Sequence, residues 1–284
     1  MPRNPVPLDA HVHVWDPRRL DYPWLSGLDE LDGPRLPDDY RSEDERRVVF
    51  VQADCRPDQA LDEARWVADL DWPELAGIVA GADLRSPDLS DHLDALADVR
   101  GFVGIRHLLQ GEDAARFADP DLRRGLALLA ERGLTFDACI RHPQLDALIA
   151  LLESVPGLRV VLDHLGKPPV AEGLASVAGQ RWAEGLRRLA ALPGTHVKLS
   201  GLPAETDDGR AYFTHADDYI RFTLDAFGPD RAMLGSDWPV SAVFGMRSTP
   251  EEWSDRVRFA TGIDGEEWEA VSARTGVRFY GLAG

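Results

Sequence analysis

Leu8-Asp9-Ala10-His11-Val12-His13-Val14-Trp15 reads as a short buried strand that carries two histidines one residue apart. In an extended chain alternate side chains project to the same side. His11 and His13 therefore point one way, with Ala10 and Val12 on the other. Two parallel imidazoles can grip a metal ion or a substrate carbonyl. A core histidine that hydrogen-bonds inside a sheet gives the same short pattern, so the pair needs partners elsewhere in the chain.

Working outward from this strand, short β-branched or apolar runs alternate with amphipathic stretches. The runs are Leu8–Val14, Arg47–Gln52, Gly77–Ala82, Val103–Arg106, Thr135–Ile140, Val160–His164, His196–Ser200 and Ala232–Gly235. The helical stretches are Ala60–Ala68, Leu89–Leu96, Asp121–Glu131, Leu145–Glu153, Arg181–Ala191, Tyr212–Phe227 and Glu266–Tyr280. Asp119-Pro120 before the third and Gly133 after it are start and stop signals. Eight such units in 284 residues predict one α/β domain over 1–284, a (β/α)8 TIM barrel at about 35 residues per unit. An open doubly wound sheet shares the alternation, but no G-x-G-x-x-G follows the first strand and no P-loop occurs. Two segments break the rhythm. Asp16–Asp39 carries Tyr22, Pro23 and Trp24 after the first strand, and Gly201–Thr214 follows the seventh. Long loops after barrel strands lie on the catalytic face.

The formal charge of −18, from 49 acids and 31 bases, repels phosphate backbones and anionic membranes, which argues against both as partners. No 18-residue apolar run is present, and the N-terminal residues lack the apolar core of a signal peptide. Cys55 and Cys139 sit in apolar runs without C-x-x-C spacing and read as buried thiols of a cytoplasmic protein. Oligomeric state is not readable, and a homo-oligomer stays open.

The C-terminal ends of the expected strands collect polar residues. They are His11 and His13, Gln52 and Asp54, Asp83, Arg106 and His107, Arg141 and His142, Asp163, His164 and Lys167, Lys198 and Ser200, and Ser236 and Asp237. Most of the 8 histidines fall in this set; His92 and His215 look solvated. A barrel brings such ends to one mouth. Two ends are sharpest. Val160-Val161-Leu162-Asp163-His164 breaks into Leu165-Gly166-Lys167-Pro168, and Met233-Leu234-Gly235-Ser236 runs into Asp237-Trp238-Pro239. Arg106, Arg141 and Lys167 are candidates for binding hydroxyls or a carboxylate of a ligand, or else partners of Asp54 and Asp83. Trp24 and Trp238 can stack on the apolar face of a ligand ring or pack as loop residues. His107 and His142 stand beside them as further wall residues.

Taken together, His11-Val12-His13, His164 in Leu162-Asp163-His164-Leu165-Gly166-Lys167-Pro168, and Gly235-Ser236-Asp237-Trp238-Pro239 resemble the amidohydrolase superfamily. More narrowly, the chain resembles the amidohydrolase-2 type group, with its sugar-acid lactonases of the L-fuconolactonase and L-rhamnonolactonase kind. Asp9 to Pro17 with Asp21-Tyr22-Pro23-Trp24-Leu25 is similar to the sugar-lactonase opening. Gly104-Ile105-Arg106-His107, Phe136 to His142 and Lys198 to Leu202 fit the same group.

The resemblance implies hydrolysis of a sugar-acid lactone at the mouth of an eight-stranded barrel. It implies His11, His13 and Asp237 as the ligands of one divalent ion of zinc or manganese type, where one is bound. It implies Asp237 as the water-activating group, His164 as the strand-6 catalytic histidine, and His142 as the strand-5 match. Metal-dependent and metal-independent chemistry both stay open. Strand 4 ends in Arg106-His107 without the lysine that bridges two metals in many superfamily members, so a two-metal site is not expected. The rival activity within the group is decarboxylation of an aromatic or unsaturated acid.

Overall fold

The computed structural model describes residues 5–40 and 45–283. Eight parallel strands, β1 (Leu8–Val12), β2 (Arg47–Val51), β3 (Leu75–Gly81), β4 (Phe102–Leu108), β5 (Thr135–Cys139), β6 (Arg159–Leu162), β7 (Thr195–Leu199) and β8 (Ala232–Leu234), pair in sequence order. The last meets the first just beyond the strands. Val12 bridges Trp238 in parallel, His13 N donates to Trp238 O at 2.8 Å, and Asp237 N donates to His11 O at 2.9 Å. The (β/α)8 reading is thereby correct.

Between the strands run α1 (Ala60–Ala68), α2 (Leu89–Ala97), α3 (Pro120–Glu131), α4 (Leu145–Glu153), α5 (Val177–Ala191) and α6 (Gly209–Phe227). After β8 come α7 (Val240–Val243), α8 (Pro250–Thr261), α9 (Gly265–Glu269), a π-helical turn Ala270–Arg274 and α10 (Thr275–Tyr280). α8 is absent from the sequence reading, although its start signal is complete. Thr249 accepts from Glu252 N, the Glu252 side chain accepts from Thr249 N, and Pro250 stands at the first helical position. The expected Glu266–Tyr280 helix is real but interrupted by the π turn, and α5 starts four residues early because Ser176 caps it.

The pleat sorts the strand side chains. Phe136, Ala138, Val160, Leu162, Val197 and Leu199 face the helices as part of the main core. Val49, Val51, Val79, Val161 and Met233 pack instead with Phe279 and Tyr280 of α10, which fill one end of the barrel. Towards the other end the same inward-facing rows become polar: Asp137 follows on β5, Asp163 at the end of β6 and Lys198 on β7, each with no exposed surface. Close packing explains two of the glycines. A Cβ on Gly104 would lie 2.0 Å from Thr135 Oγ1, and one on Gly125 would lie 2.1 Å from Leu84 O.

The excursion after β1 has its own small core of Trp15, Leu20, Tyr22, Leu25 and Leu31 with Ala53 and Cys55. It is pinned at one peptide: Trp24 Nε1 donates to Ala53 O at 2.7 Å, while Ala53 N donates to Glu63 of α1 at 3.2 Å. Glu63 is buried, and burial pushes its carboxyl up to about 7 despite that hydrogen bond. A carboxyl whose folded pKa lies above its unfolded one stabilises the fold at pH below about 4.5, and that contribution is lost as pH rises to about 7. The shift is worth about 3 kcal/mol in order of magnitude, at roughly 1.4 kcal/mol per unit. Glu63→Gln keeps the acceptor and removes the titration. Thermal unfolding of both proteins is expected to show the variant gaining on the wild type between pH 5 and pH 8; a pH-independent difference would contradict the assignment.

Candidate active site

At the carboxyl end of the barrel, Asp237 Oδ1 lies 3.8 Å from His11 Nε2, 3.6 Å from His13 Nε2 and 3.7 Å from His164 Nε2. The residues come from β1, the turn after β6 and the turn after β8, all at most 4% exposed. The His11 and His13 Nε2 atoms are 3.1 Å apart, as their shared side of the strand demands. Each second ring nitrogen is anchored. His13 Nδ1 donates to Val51 O at 2.7 Å, and His164 Nδ1 pairs with Ser200 Oγ at 2.9 Å. His11 Nδ1 has Lys198 Nζ at 3.0 Å and Asp163 Oδ1 at 3.3 Å. Such anchoring fixes ring orientation as it does around metal-ligating histidines.

Burial lowers the pKa of all three imidazoles, that of His164 to about 4, so they are neutral at pH 7. For Asp237 burial acts upward, but the surrounding imidazoles outweigh it and hold the carboxyl below the usual range. Ser241 Oγ also donates to its Oδ2 at 2.8 Å.

The backbone takes unusual conformations to bring these groups together. His164, Leu165, Gly166 and Lys167 all have positive φ, as does Asp237 at 59°. Each non-glycine residue there costs about 1–2 kcal/mol. The turn is held by Trp182 Nε1 donating to Leu165 O at 2.8 Å and by His142 Nδ1 donating to Lys167 O at 3.0 Å. Gly201 has φ 69°, and a Cβ on it would lie 2.2 Å from His164 Nδ1. Only glycine lets the loop after β7 pass so close.

The site opens into a cavity of about 410 Å³ lined by His13, His164 and Asp237, by Trp24, and by Arg106, Arg141 and Lys167. Glu205, in the segment between β7 and α6, also lines it and holds Lys167 Nζ at 2.8 Å; the loop expected over Gly201–Thr214 ends where α6 begins at Gly209. Three expected wall residues lie elsewhere. Trp238 is buried in the main core with its ring 5.5 Å from that of Tyr40, because it closes β8 onto β1. His107 binds Ala82 O and faces Arg85 and Glu112 in a neighbouring cavity of about 250 Å³, divided from the first by Arg106 and Leu108. His142 braces the Lys167 turn from outside the first cavity. His92 is not solvated either: its Nε2 lies 3.0 Å from Gly81 O.

Residues outside the expected catalytic set complete the site. Lys198 Nζ lies 2.5 Å from Asp137 and 3.1 Å from Asp163, and the Tyr280 hydroxyl donates to Asp137 at 2.8 Å. Asp9 accepts from Ser236 N at 2.8 Å and from the Tyr40 hydroxyl at 2.9 Å, clamping β1 to the turn that bears Asp237. A carboxylate two residues before an inward histidine was the available signal for Asp9, and a lysine inside an apolar strand the signal for Lys198.

The donor set suits a divalent ion. With its Nδ1 proton on Val51 O, His13 turns the Nε2 lone pair towards a carboxylate oxygen, a repulsive arrangement unless a cation or proton lies between. His11, His164 and Asp237 bring one ligand atom each within 4.8 Å of one another. Neutral imidazoles with one carboxylate are a zinc-type set. Cys139, Asp163 and His164 form a second such group, but burial pushes the Cys139 thiol up to about 11, away from the thiolate a metal needs.

The chain is similar to known proteins over nearly its whole length. An L-fucono-1,5-lactonase of Burkholderia multivorans is 33% identical over 291 residues, covering 97% of this chain and 96% of that protein. The crystal structure of an amidohydrolase from Burkholderia multivorans with bound zinc is 33% identical and superposes with a TM-score of 0.85 over 98% of this chain and 100% of that one. A 2,6-dihydroxybenzoate decarboxylase is more distant, with a TM-score of 0.61 over 99% of this chain and 100% of that one at 15% identity, a likeness of fold alone. The family profile described as amidohydrolase matches residues 8–282, and the chain belongs to the amidohydrolase family.

Proposed function

We propose that this protein opens a sugar-acid lactone by hydrolysis, at the cavity floored by Asp237. The observation that carries the reading is the convergence of three neutral imidazoles on one ionised carboxylate, with Asp237 Oδ1 within 3.8 Å of each Nε2. The lactonase relative supports the substrate class.

The chemistry needs a deprotonated water, a stabilised tetrahedral oxyanion and a proton for the departing ring oxygen. Asp237 takes the proton of the attacking water and returns it to the ring oxygen as the C–O bond breaks. Its Oδ2 is engaged by Ser241, which leaves Oδ1 to face the water. Arg106 lines the cavity with Nη1 3.5 Å from His11 Nε2, and its Nη2 donates to Gln52 O. That backbone bond fixes the guanidinium where negative charge develops on the carbonyl oxygen. His164, neutral and tied to Ser200, orients the water against Asp237. Trp24 forms the apolar wall for the ring, its indole fixed to Ala53. Arg141 and the Lys167–Glu205 pair meet the hydroxyls.

An aspartate held below the usual pKa range is a weak base for ordinary water. His11, His13 and Asp237 would hold one divalent ion, of zinc or manganese type, and that ion would supply an acidified water and a polarised carbonyl.

Two outcomes are expected. Asp237→Asn keeps the shape and removes the base, so kcat for an aldonolactone should fall by about 10²–10⁴, as read in a pH-stat assay. A loss under about tenfold would remove Asp237 from its role. His13→Ala should lower zinc affinity in equilibrium dialysis by about tenfold or more, and chelator-treated wild type should lose activity and regain it with zinc. Full activity in metal-free protein would assign the histidines to the lactone instead.

A further inference from the structure

We infer that Glu205 sets the charge selectivity of the cavity: by neutralising Lys167 it restricts the site to uncharged lactones and turns away those bearing a second carboxylate. The inference rests on the lactonase reading and concerns which members of that substrate class are taken.

Lys167 stands on the cavity wall by construction. Four consecutive residues of positive φ, His164 to Lys167, turn the chain left-handed at the end of β6. A single such turn delivers both His164 and Lys167 to one cavity. Trp182 and His142 hold its carbonyls from behind. An isolated ammonium at this depth would be the natural anchor for a substrate carboxylate. It is not isolated. Glu205 Oε1 lies 2.8 Å from Lys167 Nζ, with the two side chains 16% and 12% exposed. Glu205 reaches there through a loop built for it. Gly201 at φ 69° passes within contact of His164, and Met246 N donates to Pro203 O at 2.9 Å to seat the turn.

The other deep cation is answered in the same way. Arg106 Nη1 lies 3.8 Å from Asp163 Oδ2, and its Nη2 is bound to Gln52 O. Arg141 is exposed at the rim, where water and salt screen it. An incoming carboxylate therefore finds no unanswered positive charge on the inner wall, meets Glu205 and Asp237 instead, and approaches a chain of net charge −18. Like-charge contact is an effective means of rejecting the wrong substrate. Hydroxyl groups gain from the same pair, because Glu205 accepts and Lys167 donates.

The test compares a matched pair of substrates, an aldonolactone and the lactone of the corresponding aldaric acid, which differs by one carboxylate. Wild type should favour the neutral member in kcat/KM by about tenfold or more. Glu205→Gln should shrink or invert that ratio by about tenfold, and the preference for the anionic member should weaken with added salt. The double variant Lys167→Glu with Glu205→Lys, which keeps a neutral pair, should return the ratio towards the wild-type value. Equal wild-type rates on both substrates, or an unchanged ratio in Glu205→Gln, would overturn the inference while leaving the lactonase reading intact. Failure of wild type to open either lactone would instead sink the lactonase reading. Should Glu205→Gln not fold, the wild-type ratio and its salt dependence decide alone.

Discussion

The buried ammonium of Lys198 is the constraint on which the rest of the site depends. It has no exposed surface and lies between Asp137, Asp163 and His11 Nδ1. Charges so placed are tolerated only when paired, and removing one partner from such a group costs about 3–5 kcal/mol. Burial acts upward on Asp163, but Lys198 outweighs it and holds the carboxylate well below its usual range, while burial pushes Asp137 up. The network therefore ties together β5, β6, β7 and β1. Tyr280 extends it to α10. His11 sits at its upper edge with a donor on one side of Nδ1 and an acceptor on the other. The ring's orientation is thus set by the barrel interior before any ligand arrives.

Backbone strain is distributed accordingly. Asp54, His164, Leu165, Lys167 and Asp237 have positive φ without being glycine and lie in the turns just after β2, β6 and β8, while Arg247, which shares that conformation, lies before α8. A parallel strand must turn outward to its helix there. A left-handed residue turns the chain sharply enough that the side chain at the corner still points to the barrel axis. The cost is offset by specific anchors: Trp182 and His142 under the β6 turn, and Asp9 with Ser236 under the β8 turn.

Much of this could be read from residue order alone, because period-2 apolar runs and helix caps are local properties. His11, His13, His164 and Asp237 stood out since each ends or punctuates an apolar run. Lys198 was visible as a lysine closing an apolar strand, but Asp137 was not, because a charge in mid-strand does not show whether it faces helices, solvent or a barrel interior; only closure of the sheet decides. Trp238 misled for the opposite reason. It follows Asp237, yet it lies beyond β8 where the chain meets β1, and its ring packs into the core beside Tyr40. His142 and His107 share the position of ligands at strand ends, but their Nδ1 atoms are spent on Lys167 O and Ala82 O. α8 is absent from the sequence reading although Thr249-Pro250 with Glu252 announces its start.

The interior of this barrel pairs its charges before the mouth is reached: Lys198 with Asp137 and Asp163, Arg106 with Asp163, Lys167 with Glu205. Asp237 alone is surrounded by uncharged rings instead of a cation. In a medium of low dielectric an unshared carboxylate is the strongest local source of field, and it acts on whatever occupies the cavity beside it. Pairing elsewhere is what makes that field directional. A second uncompensated charge on the wall would blur it. The same pairing that keeps these charges tolerable inside the barrel therefore also leaves the Asp237 carboxylate without a cationic partner.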